Sequence, residues 1–261
     1  MMALKKAVIT SAGLGSRMRE ITNVLPKSLI PLYKAENSKK ILVPIIDFIF
    51  ASISNVGIDD ICIVAGDKEH LIKKHLEEKK IKNVRFVSQH PPKGFGAAVL
   101  AAEKFSSGDP FMLNTDDIVL TSGYDVLSGL FKKLNPDALF FIREVGNPKR
   151  YGVAVVEEED VFMNHKVFRV TDVEEKPANP KSNFAIIGLY AFSGKIFKAL
   201  RDSSSGENVE LTPAIEQLIK DGGRVYAILI KDEVTLNVGD PENYFKAMSY
   251  TFNEAEKMLK P

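Results

Sequence analysis

The sequence predicts an α/β fold, a mixed but mostly parallel sheet flanked by helices, and three features carry that expectation. Short apolar runs alternate with helix-period segments through the first half. A glycine-rich turn follows the first of those runs, at the carboxyl edge where parallel sheets bind nucleotides. Longer extended segments fill the second half and make the sheet mixed.

The first strand is Ala7-Val8-Ile9, and the turn at its end runs from Ser11 to Met18. A helix is expected from about Ile41 to Asn55, closed by Gly57, then a strand from Ile61 to Ala65. Leu71, Ile72 and Leu76 give the next helix one apolar face, with Lys73, Lys74, Glu77 and Glu78 outward. Val84 to Ser88 reads as a strand, Phe95 to Phe105 as an alanine-rich helix, and Phe111-Met112-Leu113 as a further strand. Extended segments follow at Ala138-Ile142, Gly152-Val156, Val167-Val173, Phe184-Phe192 and Val225-Ile230. Glu157 to Asp160 reads as an acidic hairpin tip, and Ser203-Ser204-Ser205-Gly206 as a loop. Phe245, Met248, Phe252, Ala255 and Leu259 recur at helical spacing and give a terminal helix an apolar face. We expect a single domain over residues 1–261, with halves meeting near residue 135 and the terminal helix from 241.

Composition narrows the class. The chain has 261 residues, 45% of them hydrophobic, enough for one large α/β core. Its single cysteine rules out a disulfide framework within the chain, and Cys62 sits in the apolar run Ile61-Cys62-Ile63-Val64, which suits a structural role. A formal net charge of +1 argues against general nucleic-acid binding, which needs a basic excess. No apolar run approaches the ~20 residues of a membrane span, and no signal peptide leads the sequence. The expected setting is therefore cytoplasmic, with neither membrane nor nucleic acid as partner.

Two constellations carry chemistry. In Ser11-Ala12-Gly13-Leu14-Gly15-Ser16-Arg17-Met18, the glycines remove Cβ atoms that would keep an anion from the backbone. Ala12, Gly13, Gly15 and Ser16 thus form a candidate phosphate cradle, with Arg17 and Lys27 as its cations. A dinucleotide-binding turn needs a small residue where Met18 stands, and no Gly-Lys-Ser/Thr follows to make a P-loop. The second constellation, Asn114-Thr115-Asp116-Asp117-Ile118, places paired carboxylates directly after a buried strand, where hard oxygen donors suit Mg²⁺. His70 and His75 do not share a metal-binding spacing, and neither HExxH nor a G-x-S-x-G elbow occurs.

Gly13, Gly15, Ser16, Arg17, Thr22, Pro26, Lys27 and Pro31 match the pattern G-x-G-[ST]-R, a later Thr, then P-K-x-x-x-P. In this the chain resembles the sugar-1-phosphate nucleotidyltransferases, and most closely the bacterial-type UTP:glucose-1-phosphate uridylyltransferases. The resemblance extends to about Tyr244, with Glu20 standing where the family usually has proline. It implies a Rossmann-like nucleotidyltransferase fold, a nucleotide-binding first half, a sugar-phosphate-binding second half and a homo-oligomer. Asp116, from the D-D-I-V segment, would be an Mg²⁺ ligand, with Asp117 organising its loop.

Gln89 and Gly94, in the Q-x5-G-x-G spacing, would read the pyrimidine edge; a glutamine amide can donate and accept there at once. Gly152 of Tyr151-Gly152-Val153, Glu175 and Lys176 of Glu174-Glu175-Lys176-Pro177, and Asn183 would receive the sugar phosphate. Asn237, in Leu236-Asn237-Val238-Gly239-Asp240, stands where the family has its second metal-ligating aspartate, and Asp240 is a possible substitute. Asn208 stands where the family usually has an acid near the sugar. Arg17 would hold the β- and γ-phosphates, Lys27 the α-phosphate and Lys176 the sugar phosphate. The implied reaction joins UTP to a sugar 1-phosphate with release of pyrophosphate. dTTP is the alternative donor, because Gln89 can read uracil and thymine alike. A catalytically silent nucleotide- or sugar-phosphate-sensing subunit is the alternative from another class.

Overall fold

The computed structural model describes residues 3–204, 208–231 and 234–260, the side chains of 158 and 159 excepted. The first half contains β1 (Lys6–Ser11), α1 (Glu20–Val24), β2 (Pro31–Glu36), β3 (Lys39–Pro44), α2 (Ile45–Asn55), β4 (Asp60–Ala65), α3 (Glu69–Glu78) and β5 (Val84–Ser88). It continues with α4 (Phe95–Ala101), α5 (Glu103–Ser106), β6 (Phe111–Thr115), β7 (Ile118–Leu120) and α6 (Tyr124–Leu134). The second half contains β8 (Ala138–Glu144), β9 (Gly152–Phe162), β10 (His165–Glu175), β11 (Phe184–Phe192), α7 (Lys195–Asp202), α8 (Leu211–Lys220), β12 (Val225–Leu229), β13 (Thr235–Asn237) and α9 (Pro241–Leu259).

A nine-stranded sheet in the order β5-β4-β1-β6-β11-β8-β12-β10-β9 runs through both halves. β5, β4, β1 and β6 pair in parallel, as the apolar runs of the first half require. β11 pairs antiparallel with both β6 and β8, and β10 with both β12 and β9, so the second half is the mixed part. Alternate residues of each strand serve opposite faces: Ala7 and Ile9 join the core beneath α2, α3 and α6, while Val8 joins the core beneath α4, α7 and α8. In α2 the residues at 45, 46, 49, 50 and 53 are buried, which is one helical stripe. Cys62 is buried, and burial pushes its thiol up to about 12, with Asp60 adding to and Arg85 opposing the shift. That thiol is inert packing.

Three expectations need correction. Ile41, Leu42 and Val43 are not helical; they belong to β3, which pairs with β2 as a hairpin. Asn37 and Ser38 turn that hairpin at positive φ, and Pro44, which lacks an N–H, holds extended geometry and delays the helix to Ile45. The alanine-rich helix breaks at Ala102 into α4 and α5. Glu157 to Asp160 is no hairpin tip: its backbone lies inside β9, and the turn comes at Met163 and Asn164, both at positive φ. β9 pairs with β10 along its length and also meets β11, with Val153 opposite Ala185. Of the loop expected at Ser203 to Gly206, Ser205 and Gly206 lie outside the described residues.

Candidate active site

β1 stands between β4 and β6, so the loops leaving β1 and β6 open at the point where the strand order reverses. Parallel register sets Thr10 beside Thr115, which brings Ser11 level with Asp116. The Ser11 hydroxyl donates to Asp116 Oδ2 at 2.6 Å, and the Asp116 N–H donates to the Thr10 carbonyl at 3.0 Å. Burial, then the neighbouring Asp117 carboxylate, pushes the Asp116 carboxyl well above the ordinary range, against the pull of Lys27, Ser11 and the Ser28 backbone. Asp117 is already engaged: its Oδ2 lies 2.8 Å from Lys27 Nζ, both side chains being largely buried. Lys27 is therefore neutralised by Asp117 before any phosphate arrives.

The two cradle glycines serve different ends. A Cβ on Gly13 would meet nothing within 4 Å, so its backbone faces open space in the cleft. Gly15 has φ +67, and a Cβ there would come within 2.6 Å of Thr22. The Thr22 hydroxyl closes that turn by donating to the carbonyls of Gly15 at 2.8 Å and Arg19 at 2.9 Å. Ala12, Gly13, Gln89, Gly94, Asp116 and Asp117 line a single hollow of about 260 Å³, and Lys27 lines an adjoining one that shares Ala12, Gly13 and Gln89. Ser16 is exposed on the short 3₁₀ turn that follows Gly15. Gln89 donates from Nε2 to the Gly94 carbonyl at 3.2 Å, which closes the 89–94 loop and leaves its Oε1 and one N–H for a ligand. Gly94 itself, at φ +94, packs against the Val209 carbonyl, 2.5 Å from where a Cβ would stand.

β13 pairs with β7 so that Asn237 faces Ile118, and the Val238 N–H donates to the Asp117 carbonyl at 3.0 Å. A Cβ on Gly239 would stand 2.9 Å from Asn237 Oδ1, 2.9 Å from Asp117 Oδ2 and 3.2 Å from Arg17 Nη2, so three predicted parts of the site surround one backbone position. Asn237 Oδ1 accepts from the Gly239 N–H at 2.6 Å. Asp240 is otherwise employed. It caps α9, accepting from the Asn243 N–H at 2.9 Å and the Asn243 amide at 2.8 Å. Burial alone would raise its carboxyl, but Asn243, then Arg17 and Arg150, hold it below the usual range. Arg17, an exposed side chain, lies 3.8 Å from Asp240.

On the other side, antiparallel register sets Gly152 opposite Glu175. Glu175 receives the Thr212 hydroxyl at 2.6 Å on Oε2 and Lys176 Nζ at 2.8 Å on Oε1. The Glu175 contact, followed by the charge of Glu210, raises the Lys176 ammonium, while Arg17 opposes it. Asn183 stands apart from this group: it is exposed before β11, its carbonyl accepts from the Val145 N–H, and Ile186 is the β11 residue beside Gly152. Sequence reasoning passed over Ser11, Thr212 and Glu210. Ser11 could have been found from its place at the end of a strand adjacent to that of Asp116; Thr212 and Glu210 have no local signal, since they meet Glu175 only through the packing of α8 on β10.

A glycine turn with its cations on the parallel half and a Lys-Glu pair on the antiparallel half, both carried by one mixed sheet, define an α/β protein of nucleotidyltransferase fold. The chain belongs to the nucleotidyl transferase family, whose model matches residues 6–254. It is 34% identical over 218 residues to the bifunctional protein GlmU of Methanococcus aeolicus, covering 82% of this chain and 47% of that one. It is 28% identical over 242 residues to a glucose-1-phosphate thymidylyltransferase of Streptomyces antibioticus, covering 90% and 64%. The chain thus spans about half to two thirds of the length of these relatives. In fold it matches a UDP-glucose pyrophosphorylase crystallised with UDP-glucose, at a TM-score of 0.80 and 24% identity over 96% of this chain and 99% of that one.

Proposed function

We propose that the protein transfers the uridylyl group of UTP to a sugar 1-phosphate, with glucose 1-phosphate as the favoured acceptor, giving a UDP-sugar and pyrophosphate. The observation that carries this reading is the meeting of Arg17, Asp117 and Asn237 around Gly239, beside Asp116 and the glycine turn, with the Lys176–Glu175 pair on the other half of the same sheet. Two anions must meet for this reaction, and their mutual repulsion at close range is the barrier that such cations lower. An oxygen of the sugar phosphate attacks the α-phosphorus, and the bond to the β-phosphate oxygen breaks. The nucleophile is already an anion, so no general base is needed and catalysis is alignment and charge neutralisation. Arg17 takes the β- and γ-phosphates, Lys27 the α-phosphate as it shares or leaves Asp117, and Lys176 the sugar phosphate. Gln89 orients the base.

Mg²⁺ fits the donor set. Among the described residues no cluster of three or more His, Cys, Asp or Glu could hold a metal unaided. Mg²⁺ seldom needs one, since it is commonly held by one or two protein oxygens plus phosphates and water. Asp116 keeps Oδ1 free of the Ser11 bond, and Asn237 keeps a lone pair on Oδ1; these two would hold it, and Asp240, as a cap, would not. When bound, Mg²⁺ supplies charge neutralisation at the triphosphate.

A thymidylyl reading has its own support, because the Gln89 amide meets the edge that uracil and thymine share and one relative is a thymidylyltransferase. Pyrophosphate release, measured for UTP, dTTP, GTP, ATP and CTP against several sugar 1-phosphates with Mg²⁺, tests the proposal. We expect UTP with glucose 1-phosphate to be fastest; dTTP outrunning UTP selects the thymidylyl reading, and binding without turnover selects the sensing subunit.

A further inference from the structure

We propose that Glu210 is a further substrate-contacting residue, its carboxylate accepting a hydroxyl of the sugar 1-phosphate; this rests on the transferase reading above. Glu175, the acid identified from sequence, already receives Thr212 on one oxygen and Lys176 on the other. Glu210 lies just before α8, two residues from Thr212, and its side chain makes no capping bond. It is half-buried, and among the described residues its carboxylate has neither a hydrogen bond nor an ion pair.

Thr212, two residues further on, donates its hydroxyl to Glu175, which brings this end of α8 beside the Glu175–Lys176 pair; burial, then the charge of Glu175, raises the Glu210 carboxyl, with Lys176 opposing. Holding an acid half out of water without donors costs stability unless a ligand supplies them. A sugar hydroxyl is the matching donor, since it is neutral and adds no repulsion beside Glu175. Asn208, where sequence comparison looks for this acid, is exposed.

The position of Glu210 is also fixed from the nucleotide side. The Val209 N–H donates to the Lys93 carbonyl at 2.8 Å, and the Ala97 N–H donates to the Val209 carbonyl at 3.3 Å. A Cβ on Gly96 would lie 2.7 Å from the Glu210 carbonyl, so the absence of one lets the two backbones close up. The loop carrying Gln89 and Gly94 therefore sets where the Glu210 carboxylate can reach.

Steady-state kinetics of the full chain and of Glu210→Gln and Glu210→Ala, with UTP and glucose 1-phosphate, test this. We expect the KM for glucose 1-phosphate to rise about tenfold or more in both, as for loss of a hydrogen bond to a charged group, with the KM for UTP within about twofold of the parent. A series of deoxyglucose 1-phosphates adds a readout that a merely structural role would not move. One deoxy sugar should lose as much with the parent as glucose 1-phosphate loses with Glu210→Gln, and should lose nothing more with that variant. Unchanged KM for the sugar in both variants overturns the proposal, as does an equal rise for UTP and sugar. If the parent turns over no nucleotide and sugar 1-phosphate pair, the transferase reading falls first and takes this proposal with it.

Discussion

Asp116 is set by its neighbours on β1 more than by its own loop: Ser11 holds one oxygen and Thr10 its backbone, while Lys27 faces Asp117 at its side. Replacing it with alanine removes the proposed carboxylate ligand at the switch point, so Asp116→Ala should lose Mg²⁺-dependent turnover. Lys27→Ala should lower kcat by about 10²–10³, the loss typical of one electrostatic contact in a transition state. Near-parental kcat in either variant, from initial rates at saturating substrates, contradicts these roles. That these residues gather at one sheet edge was legible residue by residue, because glycines, lysines and paired acids after a strand stand out by type and spacing. What was not legible is division of labour. Gly13 and Gly15 look alike in the sequence, yet one faces the cleft and the other accommodates Thr22 at positive φ. The Lys27-Asp117 pair joins residues 90 positions apart, and no local pattern encodes it.

At the scale of elements, the proposed metal ligand at the end of β13 and the helix cap at the start of α9 are different residues. Asn237→Asp keeps an oxygen ligand and adds charge, so activity should survive with a lower Mg²⁺ requirement, while Asn237→Ala should need more Mg²⁺ for the same rate. Asp240→Ala should instead cost about 1 kcal/mol of stability as a lost helix cap, leaving the Mg²⁺ titration nearly unmoved. Rate titrations paired with denaturant melts of the three variants check this, and an Mg²⁺ requirement that shifts chiefly with Asp240→Ala contradicts it. Gly94 joins the 89–94 loop to the segment before α8, at φ +94 and against the Val209 carbonyl. Gly94→Ala should destabilise by about 1–3 kcal/mol and weaken binding of both UTP and sugar phosphate. Calorimetric titration with each ligand checks this; parental affinity for both contradicts the coupling. Strands buried on both faces were easy to see as apolar runs. The β2-β3 hairpin was not, because Ile41-Leu42-Val43 leads straight into the apolar stripe of α2, and only Asn37-Ser38 and Pro44 mark the boundary.

At the scale of the whole molecule, α9 packs inward through Ala247, Thr251 and Ala255, with the Thr251 hydroxyl accepting from the Tyr33 N–H at 3.2 Å. The stripe expected from sequence divides: Ala255 is buried, whereas Phe245 is 72% exposed, at the rim of a groove lined by Met18, Ile21, Met248 and Phe252. An apolar rim of this kind suits a subunit contact, so light scattering should give a mass above one chain at micromolar concentration, and Phe245→Glu should lower it. A parental monomer contradicts that expectation. No helix of the described residues is long and apolar enough to cross a membrane.

The two halves share one sheet, and the proposed reaction needs both. UTP labelled with ³²P at the α-phosphate, incubated with glucose 1-phosphate, Mg²⁺ and the full chain, should yield label in a UDP-sugar and unlabelled pyrophosphate, with Lys176→Ala impairing the transfer through the sugar KM. Label remaining in UTP, or passing to UMP without a sugar adduct, across every sugar 1-phosphate supplied, contradicts it.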